Sequence, residues 1–421
     1  MNESTCIDVA EAHVADAHVA DAHVADAHVA PPRVAAQAKD ANWGGIASLT
    51  LGVFGLVTAE FLPASLLTAM AADLGVSDGA AGQAVTATAA VGAAAALTIP
   101  VLTRNLDRKR VILALTSLLV LSNALAATAH SLPVLIAARA LLGIGLGGFW
   151  SMAAALAMRL VPEHLFARAM SLILTGVSVA TVCAAPVGAY MGDLWGWRSA
   201  FVAAGVVSVF TLAAQCVTIP ALPPKDNPNV KVLFELLGRT NVRVALLAVL
   251  LVISGHFAGF TYIRPFMEQV THLSVSAISA TLLAYGIAGF FGNIAGGFLA
   301  ERSERLAIVA GAALIALLAA TLWVAGTSVP VTIAAIAAWG FAFGAFPIGF
   351  QTWIVRAAPD QAEGAGGLLV AAFQIAIASG AVGGGILVDR IGAPGGPIFS
   401  TVALTLGALL VVRYGPRPAS N

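Results

Sequence analysis

Twelve apolar stretches, each long enough to cross a bilayer, constrain this chain more than any other feature it has. They run at about 46–71, 82–103, 111–130, 133–157, 168–191 and 200–220, then at about 244–267, 276–299, 307–326, 330–355, 365–387 and 397–413. A hydrocarbon core of about 30 Å takes roughly 20 such residues per helix. The stretches are rich in Ala, Leu, Val and Gly and lack the two-residue alternation of barrel strands, so each must be a helix that satisfies its own backbone hydrogen bonds. Only 10% of the 421 residues are charged, against about a quarter in a soluble domain, so lipid is the solvent for most of the surface. The expected fold is an all-α membrane protein of twelve transmembrane helices. A net charge of zero leaves no basic stripe for nucleic acid. Cys6, Cys183 and Cys216 are too few and too scattered for a disulfide framework.

Twelve crossings place both termini on one side, and the cations say which. With the termini in the cytoplasm, 17 of the 21 Lys and Arg residues fall inside, Arg198, Arg264 and Arg390 fall outside, and Arg139 lies within a span. The positive-inside rule therefore predicts cytoplasmic termini. The stretch 221–243, with its prolines and cations, reads as a cytoplasmic linker between six-helix bundles at 43–220 and 244–415, flanked by tails at 1–42 and 416–421. The halves echo one another: Gly297-Phe-Leu-Ala-Glu-Arg-Ser-Glu-Arg305 follows the second span of its half as Pro100-Val-Leu-Thr-Arg-Asn-Leu-Asp-Arg108 follows that of the first. Duplicated halves place a site between them. In the N-terminal tail His13, His18, His23 and His28 recur every five residues, about 140° apart on a helix, so they share no face and make a poor metal site. A disordered tail is the expectation there, and without an apolar core it is no signal peptide.

The chemistry lies in what is charged at membrane depth. Only Glu60 among the acids and Arg139 among the bases fall well inside a span. Glu60 is about 14 residues from the inner end of the first span and Arg139 about 6 from the outer end of the fourth, which brings both to about the same level. An ionisable group there is costly and normally faces a cavity or a partner. Glu60 is the natural proton carrier, its protonation switched by its distance from Arg139; a static ion pair bracing two helices is the alternative. His256, alone among the histidines at mid-membrane, is either a hydrogen-bonded core residue or a proton relay.

In the tenth span Trp339, Phe343, Phe346, Phe350 and Trp353 fall along one line of the helix. Such a stripe can stack a planar ligand, or pack on lipid or a neighbouring helix. His256, Phe260 and Ile263 form a similar face in the seventh span, and Trp150 lies on the same side of the fourth as Arg139, about 16 Å deeper.

Together these residues resemble the major facilitator superfamily, of the twelve-helix drug:proton antiporter type, over residues 43–415. Arg139-x-x-x-Gly143-x-Gly145 resembles the family's fourth-helix motif, whose Arg is implicated in proton transfer. The stretch from Gly176 to Gly192, with Pro186 and Gly188, resembles the antiporter motif, and Gly196-Trp-Arg-x-x-Phe201 the usual start of the sixth helix. The second-half loop motif is well kept around Gly297, Glu301, Arg302 and Arg305. In the first half Pro100, Arg104 and Asp107 depart from it, so the latch attributed to its Asp is not expected there.

Several stretches, among them Glu60-Phe-Leu-Pro-Ala-Ser, Gly147-Gly-Phe-Trp-Ser-Met, Phe260-Thr-Tyr-Ile-Arg-Pro265 and Asp360-Gln-Ala-Glu363, further resemble bacterial proton-driven exporters of purine ribonucleosides. That resemblance implies a bacterial inner-membrane protein, monomeric, driven by the proton gradient with no cofactor, and a cavity lined by the first, fourth, seventh and tenth spans. It would place Trp150, Phe260, Trp339, Phe343 and Phe346 against the base, and Tyr262, Arg264 and Gln374 against ribose hydroxyls. Related exporters of sugars and drugs share the scaffold and remain the alternative. A passive channel would need no embedded carboxylate, an enzyme would cluster catalytic side chains at depth, and no phosphate-binding loop points to ATP.

Overall fold

The computed structural model describes residues 41–224 and 230–416; the histidine repeats, Cys6 and the last residues of the C-terminal tail lie outside them. The chain forms α1 (Trp43–Leu74), α2 (Asp78–Leu102), α3 (Arg108–Ala127), α4 (Leu132–Leu160), α5 (Phe166–Trp195), α6 (Trp197–Thr218) and α7 (Val230–Gly238). It continues with α8 (Thr240–Thr261), α9 (Ile263–Gln269), α10 (Val275–Arg302), α11 (Glu304–Ala325), α12 (Val329–Ala357), α13 (Ala362–Ile391) and α14 (Gly395–Tyr414). Twelve of these are long and apolar enough to cross a membrane, α7 and α9 being the exceptions.

Short polar residues set the helix starts. Asn42, Ser77, Asp107, Ser274 and Ser303 each accept a backbone N–H of the first turn. The stretch read as one seventh span is two helices. Pro265 has no N–H to offer the carbonyl of Thr261, so α8 ends there and the chain turns at Tyr262 before α9. Within the expected linker, α7 is a nine-residue amphipathic helix, too short for a spanning window to register.

The face where α1 begins and α14 ends is here the terminal face. In the first half α2 packs on α4, and in the second α10 packs on α12, both through glycines that let backbones meet. A Cβ at Gly143 would strike the carbonyl of Thr88 on α2, and one at Gly344 that of Gly289 on α10. Gly145 faces the α3 backbone at Leu115, and Gly188 sits against Leu62 and Ser65 of α1. Polar rungs join α3 to α6: Thr116 donates to Gln215 at 2.7 Å and Asn123 to Ser208 at 3.0 Å.

The terminal face is braced inside each half. Arg239 grips Asp360 with both guanidinium arms (2.7 and 2.6 Å), and that contact holds the exposed Asp360 carboxyl down at about 2, so the pair stays charged at ordinary pH. Arg356 pairs with Glu304 at 2.6 Å, and Arg305 donates to the carbonyl of Val412. Of the loop motif the sequence emphasised, Arg305 thus ties α11 to α14. Glu304 makes the ion pair, while Glu301 and Arg302 are exposed and Gly297 is not crowded by a neighbour. In the first half Asp107 accepts the backbone N–H groups of Lys109 and Leu222. Burial works to raise its carboxyl, but these bonds outweigh it and hold the group below the usual range.

Candidate functional site

Pro63 is the starting point. Inside α1 it leaves the carbonyl four residues back, that of Ala59, without its helical partner. Arg139 of α4 fills that place: its Nη1 donates to the Ala59 oxygen at 2.8 Å. The side chain is 0% exposed, and Nε and Nη2 have no partner. Glu60, the next residue along α1, is half-buried and within electrostatic reach of the guanidinium. No ion pair among the described residues joins the two side chains, so the static brace weighed from the sequence is not what holds α1 to α4. The fork instead has one arm on the backbone and two buried donors open.

Beside Glu60 on α1, Phe61 enters an aromatic cluster built from the second half. It stacks on Phe257 (centroids 6.5 Å) and meets Phe260 edge-on at 5.7 Å. Phe260 stacks on His256 at 5.5 Å, and Phe343 of α12 stacks on the same imidazole at 3.9 Å. Phe346 closes on Phe343 edge-on at 5.5 Å. The cluster thus joins α1 of the first half to α8 and α12 of the second. The α12 stripe faces neither lipid nor open space for most of its length, because Trp339, Phe346, Phe350 and Trp353 are buried and Phe343 alone of the five is half-buried.

His256, a candidate for the proton path, accepts the indole N–H of Trp339 on its Nδ1 at 2.9 Å. An indole nitrogen only donates, so that bond must break before the ring can take a second proton. Trp339 therefore spends its polar edge on His256 and lies against Gly259; it is not an open stacking platform. Tyr262 and Arg264, assigned to ribose, are occupied: Tyr262 donates to the Ala381 carbonyl at 2.7 Å, while Arg264 pairs with Glu268 at 2.7 Å and donates to the Ser65 carbonyl. Trp150 is half-buried within the first half and joins none of the ring contacts found. Gln374 is buried on α13 against Gly92 of α2, its Nε2 without a partner.

Sequence reasoning missed Asp389. From the end of α13 its carboxylate crosses to the other half and caps α2, accepting Ser77 Oγ–H and the Gly79 N–H, both at 3.0 Å. A Cβ at Gly79 would lie within 2.5 Å of the carboxylate carbon, so glycine is what admits the acid. Gln269 adds a bond to Asp78 at 2.9 Å, and Arg264 reaches α1. These contacts clasp the halves at the face opposite the termini, whereas the pairs Arg239–Asp360 and Arg356–Glu304 at the terminal face stay within one half. Next to this clasp, Arg198 pairs with Asp73 (2.7 Å) and donates to the Ala129 carbonyl, so the Gly196-Trp-Arg motif ties together α1, α3 and α6. Asp389 and Ser77 are exposed, so water screens the bonds and together they contribute about 0.5–1.5 kcal/mol. Asp389→Ala is therefore expected to shift the clasped-to-open ratio about 2- to 13-fold toward open. Spin labels at residues 76 and 272 would report it as a growing long-distance population. An unchanged distance distribution would place the clasp elsewhere.

Twelve spans in two glycine-packed halves, clasped at one face, with a buried arginine and an aromatic cluster inside, are the frame of a membrane transporter. The chain belongs to the major facilitator superfamily: the profile described as Major Facilitator Superfamily matches residues 49–381 and 265–421. It is 42% identical over 373 residues to the "Purine ribonucleoside efflux pump NepI" of Shigella sonnei, covering 88% of this chain and 93% of the relative. The protein of that description from Escherichia coli K12 matches at the same 42%, covering 88% of this chain and 93% of the relative. That from Salmonella typhimurium is 40% identical, covering 88% and 92%. The human organic anion transporter MFSD10 shares the fold, with a TM-score of 0.65 at 17% identity over 88% of this chain and 99% of that one. The protein is thus a multi-pass inner-membrane transporter and not an enzyme.

Proposed function

We propose that this protein exports purine ribonucleosides from the cytoplasm in exchange for protons, with both termini cytoplasmic. The relatives' shared description supports the substrate class, and the Glu60–Arg139 arrangement supports the coupling. That arrangement is the observation that carries the reading. Arg139 keeps its place through the Ala59 carbonyl whatever the state of Glu60, and its two open donors await a carboxylate. An ionised Glu60 is drawn to them; a protonated Glu60 is released. The aromatic cluster offers the base Phe343 and Phe61, and Gln374 holds an open donor for a ribose hydroxyl or base edge. With the termini in the cytoplasm, the Asp389 clasp is a closed outer gate. One proton entering down 100 mV yields about 2.3 kcal/mol, enough for roughly a 50-fold gradient of a neutral solute.

Purified protein in vesicles carrying an imposed proton gradient tests this directly. Labelled inosine, guanosine and adenosine are expected to accumulate against their gradients and to stop doing so with a protonophore. Accumulation of sugars or drugs but no nucleoside would shift the assignment to the broader exporter class, and accumulation unaffected by the protonophore would remove protons from the cycle.

A further inference from the structure

Trp339 and His256 do something that packing alone does not require. The imidazole is 0% exposed, stacked on Phe343 and Phe260, with Phe257 edge-on at 4.9 Å and Phe346 at 6.4 Å. A phenylalanine would fill such a place, though it would leave the Trp339 N–H without its acceptor. Because the indole N–H occupies Nδ1, the neutral ring carries its proton on Nε2. That Nε2–H has no partner, and the surrounding rings offer no oxygen or in-plane nitrogen to accept it. Buried donors are nearly always bonded, and an orphan is a cost the fold retains for a reason. Of the four phenylalanines around the imidazole, Phe257, Phe260 and Phe346 are buried and Phe343 is half-buried, so Phe343 is the ring that can turn aside to admit an acceptor.

We infer that His256 is a specificity-determining residue whose Nε2–H donates to N3 or N7 of the substrate's purine base, the acceptors that adenosine, inosine and guanosine share, with Trp339 as the positioning residue that fixes the tautomer. This rests on the nucleoside reading above. It also separates two jobs that the sequence could not: the proton belongs to Glu60, and His256 reads the base. A pyrimidine has a smaller stacking area and presents a different edge to a donor fixed in direction, so the pair selects for purines by geometry as well as by area.

Equilibrium binding to purified protein tests it without relying on coupling. Labelled adenosine is competed with adenosine, 7-deazaadenosine and 3-deazaadenosine, which each lack one ring-nitrogen acceptor. In the native protein one of the two analogues is expected to bind about 5- to 150-fold more weakly than adenosine, the range for an orphaned buried donor. In His256→Phe, which keeps a ring and loses the donor, all three should bind alike. His256→Gln, which returns a neutral donor, should recover part of the discrimination and guards against a Phe variant that fails to fold, judged by monodispersity in detergent. Trp339→Phe should weaken adenosine toward the affinity of the discriminated analogue while leaving that analogue's own affinity unchanged, a selective change that a purely structural loss would not give. Full discrimination surviving in His256→Phe, or none in the native protein, overturns the assignment. Native protein that binds no purine nucleoside at all instead overturns the substrate reading on which it stands.

Discussion

Glu60→Gln is expected to abolish uphill export while leaving solute exchange running. The amide has the size and neutrality of the protonated acid, so the variant resembles a carrier that never releases its proton. The gradient of roughly 50-fold that 100 mV sustains for one proton should collapse to equality. Counterflow of labelled against unlabelled inosine, which needs no net proton movement, should continue at a rate close to that of the native protein. The fold should survive, because among the described residues Glu60 makes no hydrogen bond or ion pair that the amide would break. Uphill accumulation by the Gln variant at the native rate would remove Glu60 from the mechanism.

The twelve spans and the two embedded charges were legible because both are one-dimensional signals: a run of apolar residues, and a charge interrupting it. What such signals average away is where the reading fell short. Pro265 sits inside a window of apolar residues and still splits α8 from α9. The amphipathic α7 is shorter than any spanning window. Side-chain employment was harder, since it depends on what lies opposite in another helix. Trp339 and Phe343 share a helical face, yet one gives its N–H to His256 and is buried while the other stays half-buried. Tyr262 and Arg264 are candidates for the ribose hydroxyls because they are polar and lie in the stretch 260–265 that resembles the exporters. In the folded protein Arg264 reaches α1 at the clasp and Tyr262 packs on Gly82. Asp389 has no local signature: its role arises from Ser77 and Gly79, more than 300 positions away. One contact was readable in principle. Pro63 announces a carbonyl at Ala59 without a helical donor, and a fully buried arginine at the same depth is the group to supply one.

That contact leads to the second large effect, which couples stability to function with opposite signs. Arg139 is fully buried, with one hydrogen bond and two open donors, and a cation in that position costs about 2.5–3.5 kcal/mol on insertion scales. Arg139→Met fills similar volume with no charge. It relieves the burial cost and forfeits the bond to Ala59, whose orphaned carbonyl costs about 1–3 kcal/mol. The balance is expected to lie between about 0.5 kcal/mol less stable and about 2.5 kcal/mol more stable than the native protein. Uphill export should nevertheless be lost, because nothing remains to draw the ionised Glu60 across. Arg139→Lys should fall between, restoring the charge without the fork that serves the carbonyl and the carboxylate together. Thermal unfolding in detergent and inosine accumulation in vesicles, measured on the same preparations, separate the two readouts. If the Met variant unfolds well below the native protein, the guanidinium is a structural brace. If it accumulates inosine normally, the proton path runs without Arg139. A residue whose removal stabilises the fold and silences transport is one retained for what it does when the carboxylate arrives.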